Sequence, residues 1–166
     1  MNDTIFSPDR KYRYRLERKI PGRDINMTVA FCMLNPSTAD EVKSDPTVTR
    51  CFNYATDWGA SRLVVVNVFA YRSTDPKALY SLPSGSCAGS DNDAHIVRAA
   101  READIFVCAW GKHGRLHGRQ DSVLSLLRTS APLAKPCAFK VNKDGTPVHP
   151  LYQRADAQPV PFGRSP

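Results

Sequence analysis

Four runs of apolar residues divide the chain, and each has the length of one β-strand. They cover residues 27–34 (MTVAFCML), 63–68 (LVVVNV), 104–110 (DIFVCAW) and 136–141 (PCAFKV), the last being shorter and more polar. Continuous apolar runs with β-branched and aromatic residues are typical of strands buried on both faces of a parallel sheet. We therefore predict a mainly parallel central sheet of four strands.

Helical spacing appears between these runs. Residues 46–58 place Val48, Cys51, Phe52 and Ala55 at i, i+3, i+4 and i+7, with Asp45 as N-cap before Pro46. Further helices are predicted over 91–103 and 121–129 and a short piece over 77–80, with loops at 81–90 and 111–118. Alternating strands and helices predict a single three-layer α/β/α domain over residues 1–166, with helices on both faces of the sheet.

The two ends of the chain have their own patterns. Residues 11–20 (KYRYRLERKI) alternate Tyr and Leu with Arg and Glu, which predicts an N-terminal edge strand or hairpin with one solvated face. Pro21 and Gly22 mark the turn that follows. Residues 153–166 are rich in Pro and Arg, and we expect them to form an extended tail on the surface.

Composition excludes several classes of protein. No run of 18 apolar residues exists and the first residues lack a signal-peptide layout, so we expect a cytoplasmic protein. The five cysteines are scattered, which argues against a disulfide framework; Cys32, Cys108 and Cys137 lie in apolar runs and are expected in the core. His113 and His117 lack further ligands at suitable spacing, so we expect neither a metal nor a cofactor.

The net charge of +7 favours an acidic partner such as nucleic acid, although a solvated basic surface is the simpler alternative. Basic residues cluster at 10–19, at 112–119 and near the C-terminus, where Arg154 and Arg164 lie. The residues that we predict to contact nucleic acid are Lys112, His113, Arg115, Arg119, Tyr152 and Arg154.

Ligands of such sheets bind beyond the carboxyl ends of the strands. That rule selects polar residues after each of the four runs: Asn35, Ser37, Thr38 and Asp40; Asn67, Tyr71 and Arg72; Gly111, Lys112 and His113; Asn142, Lys143 and His149. No phosphate-binding glycine motif follows the first strand, which disfavours nucleoside triphosphate chemistry.

Three of these residues are candidates for chemistry, and each has a structural alternative. Asn67 interrupts an apolar strand, so its amide either binds neighbouring backbone or meets a ligand such as a nucleobase edge. Asn35 is held extended by Pro36 and either ends the strand or orients a water or substrate. His149, between Pro147-Val148 and Pro150, is either a surface residue or a contact for developing negative charge.

Neighbouring residues are more ambiguous. Phe69 and Tyr71 either stack on a base or pack in the core, and Asp40, Glu41 and Asp45 are expected to cap and solvate the following helix. Trp58 and Trp110 are expected in the core or in a pocket wall.

Five segments together resemble a bacterial and phage family, domain of unknown function 1643, over roughly residues 10–155. They are 31–40 (FCMLNPSTAD), 45–51 (DPTVTRC), 65–72 (VVNVFAYR), 109–111 (AWG) and 149–152 (HPLY). Their order also resembles the motifs of the uracil-DNA glycosylase superfamily. In that likeness, Asn35-Pro36 is similar to the Asn-Pro of the first motif, Asn67 to the base-reading asparagine and His149-Pro150 to the start of the last motif.

The second resemblance implies a glycosylase-like fold and a role for each residue. Asn35 would position the attacking water, Asn67 would bind the base edge, and His149 would stabilise negative charge on the departing base of a flipped nucleotide. Pro36, Ser37, Thr38, Phe69, Tyr71 and Arg72 would complete the substrate site. Occurrence of the first family in phages favours a modified base.

Two departures from the superfamily pattern are notable. Met33 replaces the motif glycine, and Leu151 replaces the serine after His-Pro, which removes a phosphate-binding hydroxyl. The resemblance as a whole implies a glycosylase-like protein that flips a base out of DNA and either recognises or excises it. The alternatives are a non-catalytic binder of modified nucleic acid, an enzyme that acts on free nucleosides or nucleotides, and an interaction domain with a vestigial pocket.

Overall fold

The computed structural model describes residues 3–163. Its strands are β1 (Asp3–Phe6), β2 (Arg13–Lys19), β3 (Thr28–Met33), β4 (Arg62–Asn67), β5 (Ile105–Cys108), β6 (Pro136–Ala138) and β7 (Val160–Pro161). They form one mixed sheet in the order β1-β2-β4-β3-β5-β6-β7.

The four predicted strands lie at the centre of this sheet as β4-β3-β5-β6 and run parallel. The predicted number of four strands is nevertheless wrong, because the described residues form a sheet of seven strands. An N-terminal hairpin of β1 and β2 adds to β4, and β7 adds to β6, all antiparallel to their neighbours. The hairpin was predicted, whereas the two-residue β7 is too short to leave a periodic signal.

The helices are α1 (Pro46–Asp57), α2 (Ser84–Ala88), α3 (Asn92–Glu102) and α4 (Arg119–Ser130). One hydrophobic cluster joins α1 to the sheet, and a second joins α3 and α4 to the opposite face, so helices cover both faces. Asp45 caps α1 as predicted, because its Oδ1 accepts from the Val48 N–H at 2.8 Å. Helix α2 lies in the predicted loop 81–90. Segments of 3₁₀ helix occupy Pro76–Ser81, Lys112–Gly118 and Pro150–Tyr152, and the second is interrupted at Leu116 and His117.

The predicted solvated face of β2 is wrong. Arg13, Arg15 and Arg18 are all buried. Arg15 binds Glu17 at 2.6 Å and Glu102 of α3 at 2.5 Å, while Arg18 donates to the backbone oxygen of Asp40. Buried cations of this kind require partners in place of water. The alternation of residue types therefore reflects polar partners on α3 and in the 39–45 loop, not solvent.

In the described part of the predicted tail, β7 pairs with β6, and Phe162 packs edge-on against Trp110 with ring centres 6.0 Å apart. Arg164 lies outside the described residues. Cys32 and Cys108 are buried in the sheet and Cys137 is half-buried, which confirms their core placement. Within residues 3–163, none of the helices has the length and apolar character needed to cross a membrane.

Candidate functional site

A cavity of about 660 Å³ opens beyond the carboxyl ends of β3, β4 and β5, on the α1 face of the sheet. From β3 the chain passes to β4 on one side and then crosses back to β5 on the other. Such a reversal of strand order separates the connecting loops and creates the crevice in which α/β proteins bind ligands. The topology alone therefore explains why the cavity is here.

Asn35, Asn67 and His149 all line this cavity, although more than 30 residues separate each from the next along the chain. Met33 and Asn67 are paired in the parallel register of β3 and β4. Asn35 follows the end of β3 by two residues, after a bend at Leu34, and lines the same cavity as Met33 and Asn67. The loop after β6 brings His149 to this edge of the sheet.

The Asn35 amide joins the loop after β3 to the loop after β4. Its Nδ2 donates to the backbone oxygen of Ser73 at 2.9 Å, with longer contacts to those of Tyr71 and Pro36. These contacts fix the orientation of the amide. Because the amide donors are used by the backbone, Oδ1 is the group left to accept a hydrogen bond from a water or ligand.

Asn67 is only 1% exposed, and its Nδ2 has no hydrogen-bond partner among the described residues. A buried polar group without a partner costs about 1–3 kcal/mol. The backbone oxygen of the same residue accepts from the Asn92 side chain at 2.9 Å, so the main chain is held while the side-chain donor remains unused. A ligand that accepts from Nδ2 would remove this cost.

His149 is the N-cap of the Pro150–Tyr152 turn, and its Nδ1 accepts from the Leu151 N–H at 3.3 Å. In the neutral ring the proton is therefore on Nε2, which is a hydrogen-bond donor. Burial lowers the pKa of His149, and Asp45 opposes this effect. The arrangement holds a neutral donor at the cavity wall.

Two charged residues of the cavity were not predicted as site residues. Arg13 is 2% exposed, and burial lowers its pKa to about 10, so it remains a cation at neutral pH. Asp45 also lines the cavity, but its oxygens accept from the Val48 and Ala39 N–H groups. In the sequence, Arg13 lies between Tyr12 and Tyr14, and without the tertiary structure this alternation suggests that its side chain faces solvent.

The other predicted substrate residues differ in where the structure places them. Ser37 lines the cavity, whereas Pro36 and Thr38 adjoin it without contributing to its wall. Phe69 is fully buried in the cluster under α3 and α4, which bears out the core-packing alternative. Tyr71 and Arg72 lie at the hairpin, where Tyr71 pairs with Tyr12 and the Arg72 guanidinium lies over Phe6, so the structure does not bring them to the cavity.

The predicted nucleic-acid contacts also divide. Lys112, His113 and Tyr152 line the cavity, and exposed Arg115 lies close by on the same 3₁₀ segment, bound to the backbone oxygen of Asp144. Arg119 is buried and holds the end of β4 and the start of α3 through Val68 O and Asp93. The prediction of a nucleic-acid contact is therefore wrong for Arg119, because its cation is used internally. Arg154 is exposed and paired with Asp156.

The family model described as "Protein of unknown function (DUF1643)" matches residues 13–151. The chain belongs to this family. The DUF1643 match begins at Arg13 and ends at Leu151, so it includes Asn35, Asn67 and His149. Neither a curated protein nor a solved structure matches the chain.

Proposed function

We propose that the cavity holds a nucleobase flipped out of DNA and that the protein hydrolyses the N-glycosidic bond of that base. The observation that carries this proposal is the convergence of Asn35, Asn67 and His149 on one cavity. A volume of about 660 Å³ is within the range of small-molecule sites. The parallel order of the four central strands is compatible with kinship to the uracil-DNA glycosylase superfamily, which we propose on the motifs described above.

Asn67 recognises the base through its side-chain amide. A carboxamide donates and accepts together, which suits the edge of a base that carries adjacent donors and acceptors. The Nδ2 without a partner favours a ligand with an acceptor at this point. Trp110, which lines the cavity, supplies an apolar wall against which the ring can pack.

Asn35 and His149 act on the bond itself. A water that donates to Asn35 Oδ1 attacks C1′ of the sugar, the C1′–N bond breaks, and its electron pair stays on the base nitrogen. His149 Nε2–H donates a hydrogen bond to the base anion and so stabilises the charge as it develops. The proton that the water loses ends on the base nitrogen, and the sugar keeps the hydroxyl.

DNA would approach the open side of the cavity. Lys112 and Arg115 are exposed there and suit phosphate contacts, and Tyr152 is 84% exposed beside His149. We propose that Tyr152 occupies the space that the flipped base leaves in the helix. Burial of Arg119 makes this basic surface smaller than the sequence suggests, and that observation favours a second candidate function, an enzyme that acts on free nucleosides or nucleotides.

The test uses single- and double-stranded oligonucleotides that each carry one uracil, hypoxanthine, 5-hydroxymethyluracil, alkylated base or mismatch. Alkali after incubation cleaves the abasic sites that excision leaves. Wild-type protein is compared with Asn35→Ala and His149→Ala, and His117→Asn is the matched control because exposed His117 lies outside the cavity wall. We expect cleavage of one substrate by wild type and His117→Asn and its loss in both cavity variants.

The other outcomes separate the alternatives. Salt-sensitive DNA binding without cleavage would replace the glycosylase with a non-catalytic binder, since release of counterions makes phosphate contacts salt-dependent. Absence of DNA binding together with release of a base from free nucleosides would support the second candidate.

A further inference from the structure

A β-bulge directs Arg13 into the cavity. The pairing of β1 with β2 sets Ile5 opposite Arg15 and Phe6 opposite Arg13, so Tyr14 is an extra residue in β2. Strict alternation would leave Arg13 on the face of Arg15, which binds Glu102 of α3. With the bulge, Arg13 instead lines the cavity on the α1 face. Bulges frequently re-aim a side chain in this way beside functional sites.

The charge of Arg13 lacks a carboxylate partner among the described residues. Its Nη1 donates to the backbone oxygen of Ala39 at 2.9 Å, and its Nε has no partner. Asp45 is the acidic residue of the cavity wall, and its charge opposes the lowering of the Arg13 pKa by burial. Its oxygens accept from two backbone N–H groups, however, and form no ion pair with Arg13 in the part of the chain that the structure describes. Arg15, in the same strand, is by contrast paired with two glutamates.

A guanidinium cation removed from water is costly unless an anion compensates it. Arginine is also the side chain best suited to oxyanions, because its N–H groups form two parallel charge-assisted hydrogen bonds with them. A neutral ligand would leave the Arg13 guanidinium without an anionic partner, whereas a carboxylate or phosphate would supply one. The end of the cavity at Arg13, which we call the inner end, thus favours a negatively charged group of a ligand.

We propose that the ligand of the cavity carries an oxyanion, a carboxylate or a phosphate, which binds Arg13 at the inner end. The proposal rests on the proposed function only in taking the rest of the ligand to be a base or nucleoside. Because Arg13 is 2% exposed whereas Lys112 is exposed at the opening, a backbone phosphate of DNA suits Lys112 and not Arg13. The oxyanion therefore belongs either to a substituent of the base or to a free nucleotide that enters phosphate first.

The test compares ligands of one shape that differ in charge. The probes are uracil-5-carboxylate, uracil-6-carboxylate and benzoate, each beside its carboxamide, together with uracil, uridine and uridine monophosphate. Dissociation constants for the full chain come from the rise of the melting temperature with ligand concentration. We expect a carboxylate to bind at least about tenfold more tightly than its amide, or the nucleotide at least about tenfold more tightly than uridine. Which pair responds identifies the source of the oxyanion.

Arg13→Met removes the charge while keeping much of the side-chain length. Arg128→Met is the matched control, because Arg128 is exposed on α4 and lies outside the cavity wall. The preference for the charged ligand should disappear in Arg13→Met and persist in Arg128→Met. If Arg13→Met does not fold, the acid–amide comparison in the wild-type protein decides on its own.

The outcomes for the two proposals are distinct. Amides that bind as tightly as acids and uridine as tightly as its monophosphate would overturn the oxyanion site, and binding of uracil in the same series would leave the base pocket standing. Preference for benzoate over benzamide, with no binding of any pyrimidine, would keep the oxyanion site and remove the base pocket. Absence of all binding would overturn both.

Discussion

The side-chain amide of Asn92 donates a hydrogen bond to the backbone oxygen of Asn67 at 2.9 Å. The same amide also reaches the backbone oxygen of Val68 at 3.2 Å. Asn92 is the first residue of α3 and is fully buried, so the start of this helix is tied to the end of β4 directly behind the cavity. The main chain that carries the base-reading candidate is thereby fixed from outside the site.

Replacing Asn92 with alanine should destabilise the protein by about 1–3 kcal/mol, because the backbone oxygen of Asn67 loses its partner in a buried place. The measurement is urea unfolding at neutral pH. Asn53→Ala, at an exposed asparagine of α1, is the matched control and should change stability by less than about 0.5 kcal/mol. Equal effects of the two substitutions would show that the Asn92 contact carries no net stability.

Asn67→Val should keep or raise stability, in contrast to Asn92→Ala. The substitution removes a buried donor that has no partner and introduces a residue that favours strands, so we expect unchanged stability or a gain of up to about 1–2 kcal/mol. Ligand binding or activity should be lost at the same time. A stability loss as large as that of Asn92→Ala would mean that the Asn67 side chain is a structural group after all.

Arg15→Met should destabilise the protein by about 1–3 kcal/mol, because Glu17 and Glu102 lose their buried hydrogen-bonding partner and keep only the more exposed Arg62 and Arg98. Arg98→Met is the matched control: Arg98 also binds Glu102, but it is exposed on the surface of α3, and we expect little change. Thermal unfolding of both variants measures the difference, and similar melting temperatures would contradict the burial argument.

Gly114→Ala should also destabilise the protein, by about 1–3 kcal/mol, through overpacking. A Cβ at this buried position would lie 2.0 Å from Cδ1 of Trp110, whose ring must then move in the cavity wall. Gly85→Ala, in exposed α2 with open space around it, should be neutral or mildly stabilising. Near-ultraviolet circular dichroism would report the displaced tryptophan in the first variant only.

The stability of the protein should fall as the pH drops below about 6.5. Burial lowers the pKa of His149 and, together with nearby Arg15 and Arg98, that of His95, while Asp45 and Asp91 respectively oppose these shifts. The unfolded chain then binds protons near the ordinary histidine value of 6.5, where the folded protein does not. Stability from this source is complete above that pH and is lost progressively below it.

Urea unfolding between about pH 7.5 and about pH 5 measures this dependence, since carboxylates with lowered pKa values, such as Asp40 and Asp144, act at more acidic pH. The His95→Gln, His149→Gln double variant should have a flatter profile. A profile as steep as that of the wild type would assign the dependence to other groups.

The secondary structure was predictable wherever a local pattern carried it. The apolar runs of β3, β4 and β5 and the Asp45 cap of α1 were correctly identified because strand burial and capping depend on a few neighbouring residues. The buried arginines of β2 were assigned to solvent, since alternation of residue types does not distinguish water from a polar partner. Arg15 and its partner Glu102 are 87 residues apart, and no local pattern connects them.

The sequence by itself determined which residues end the parallel strands, and so brought Asn35, Asn67 and His149 forward as one set of candidates. Only the tertiary structure decided that Arg13 faces the cavity, that Arg119 is an internal tie and that Asn92 holds the end of β4. The physical reason is the distance along the chain over which each property is determined. Periodicity is set by neighbours a few residues away, whereas the direction and partners of a buried polar side chain depend on strand register, on a single bulged residue and on groups far along the chain.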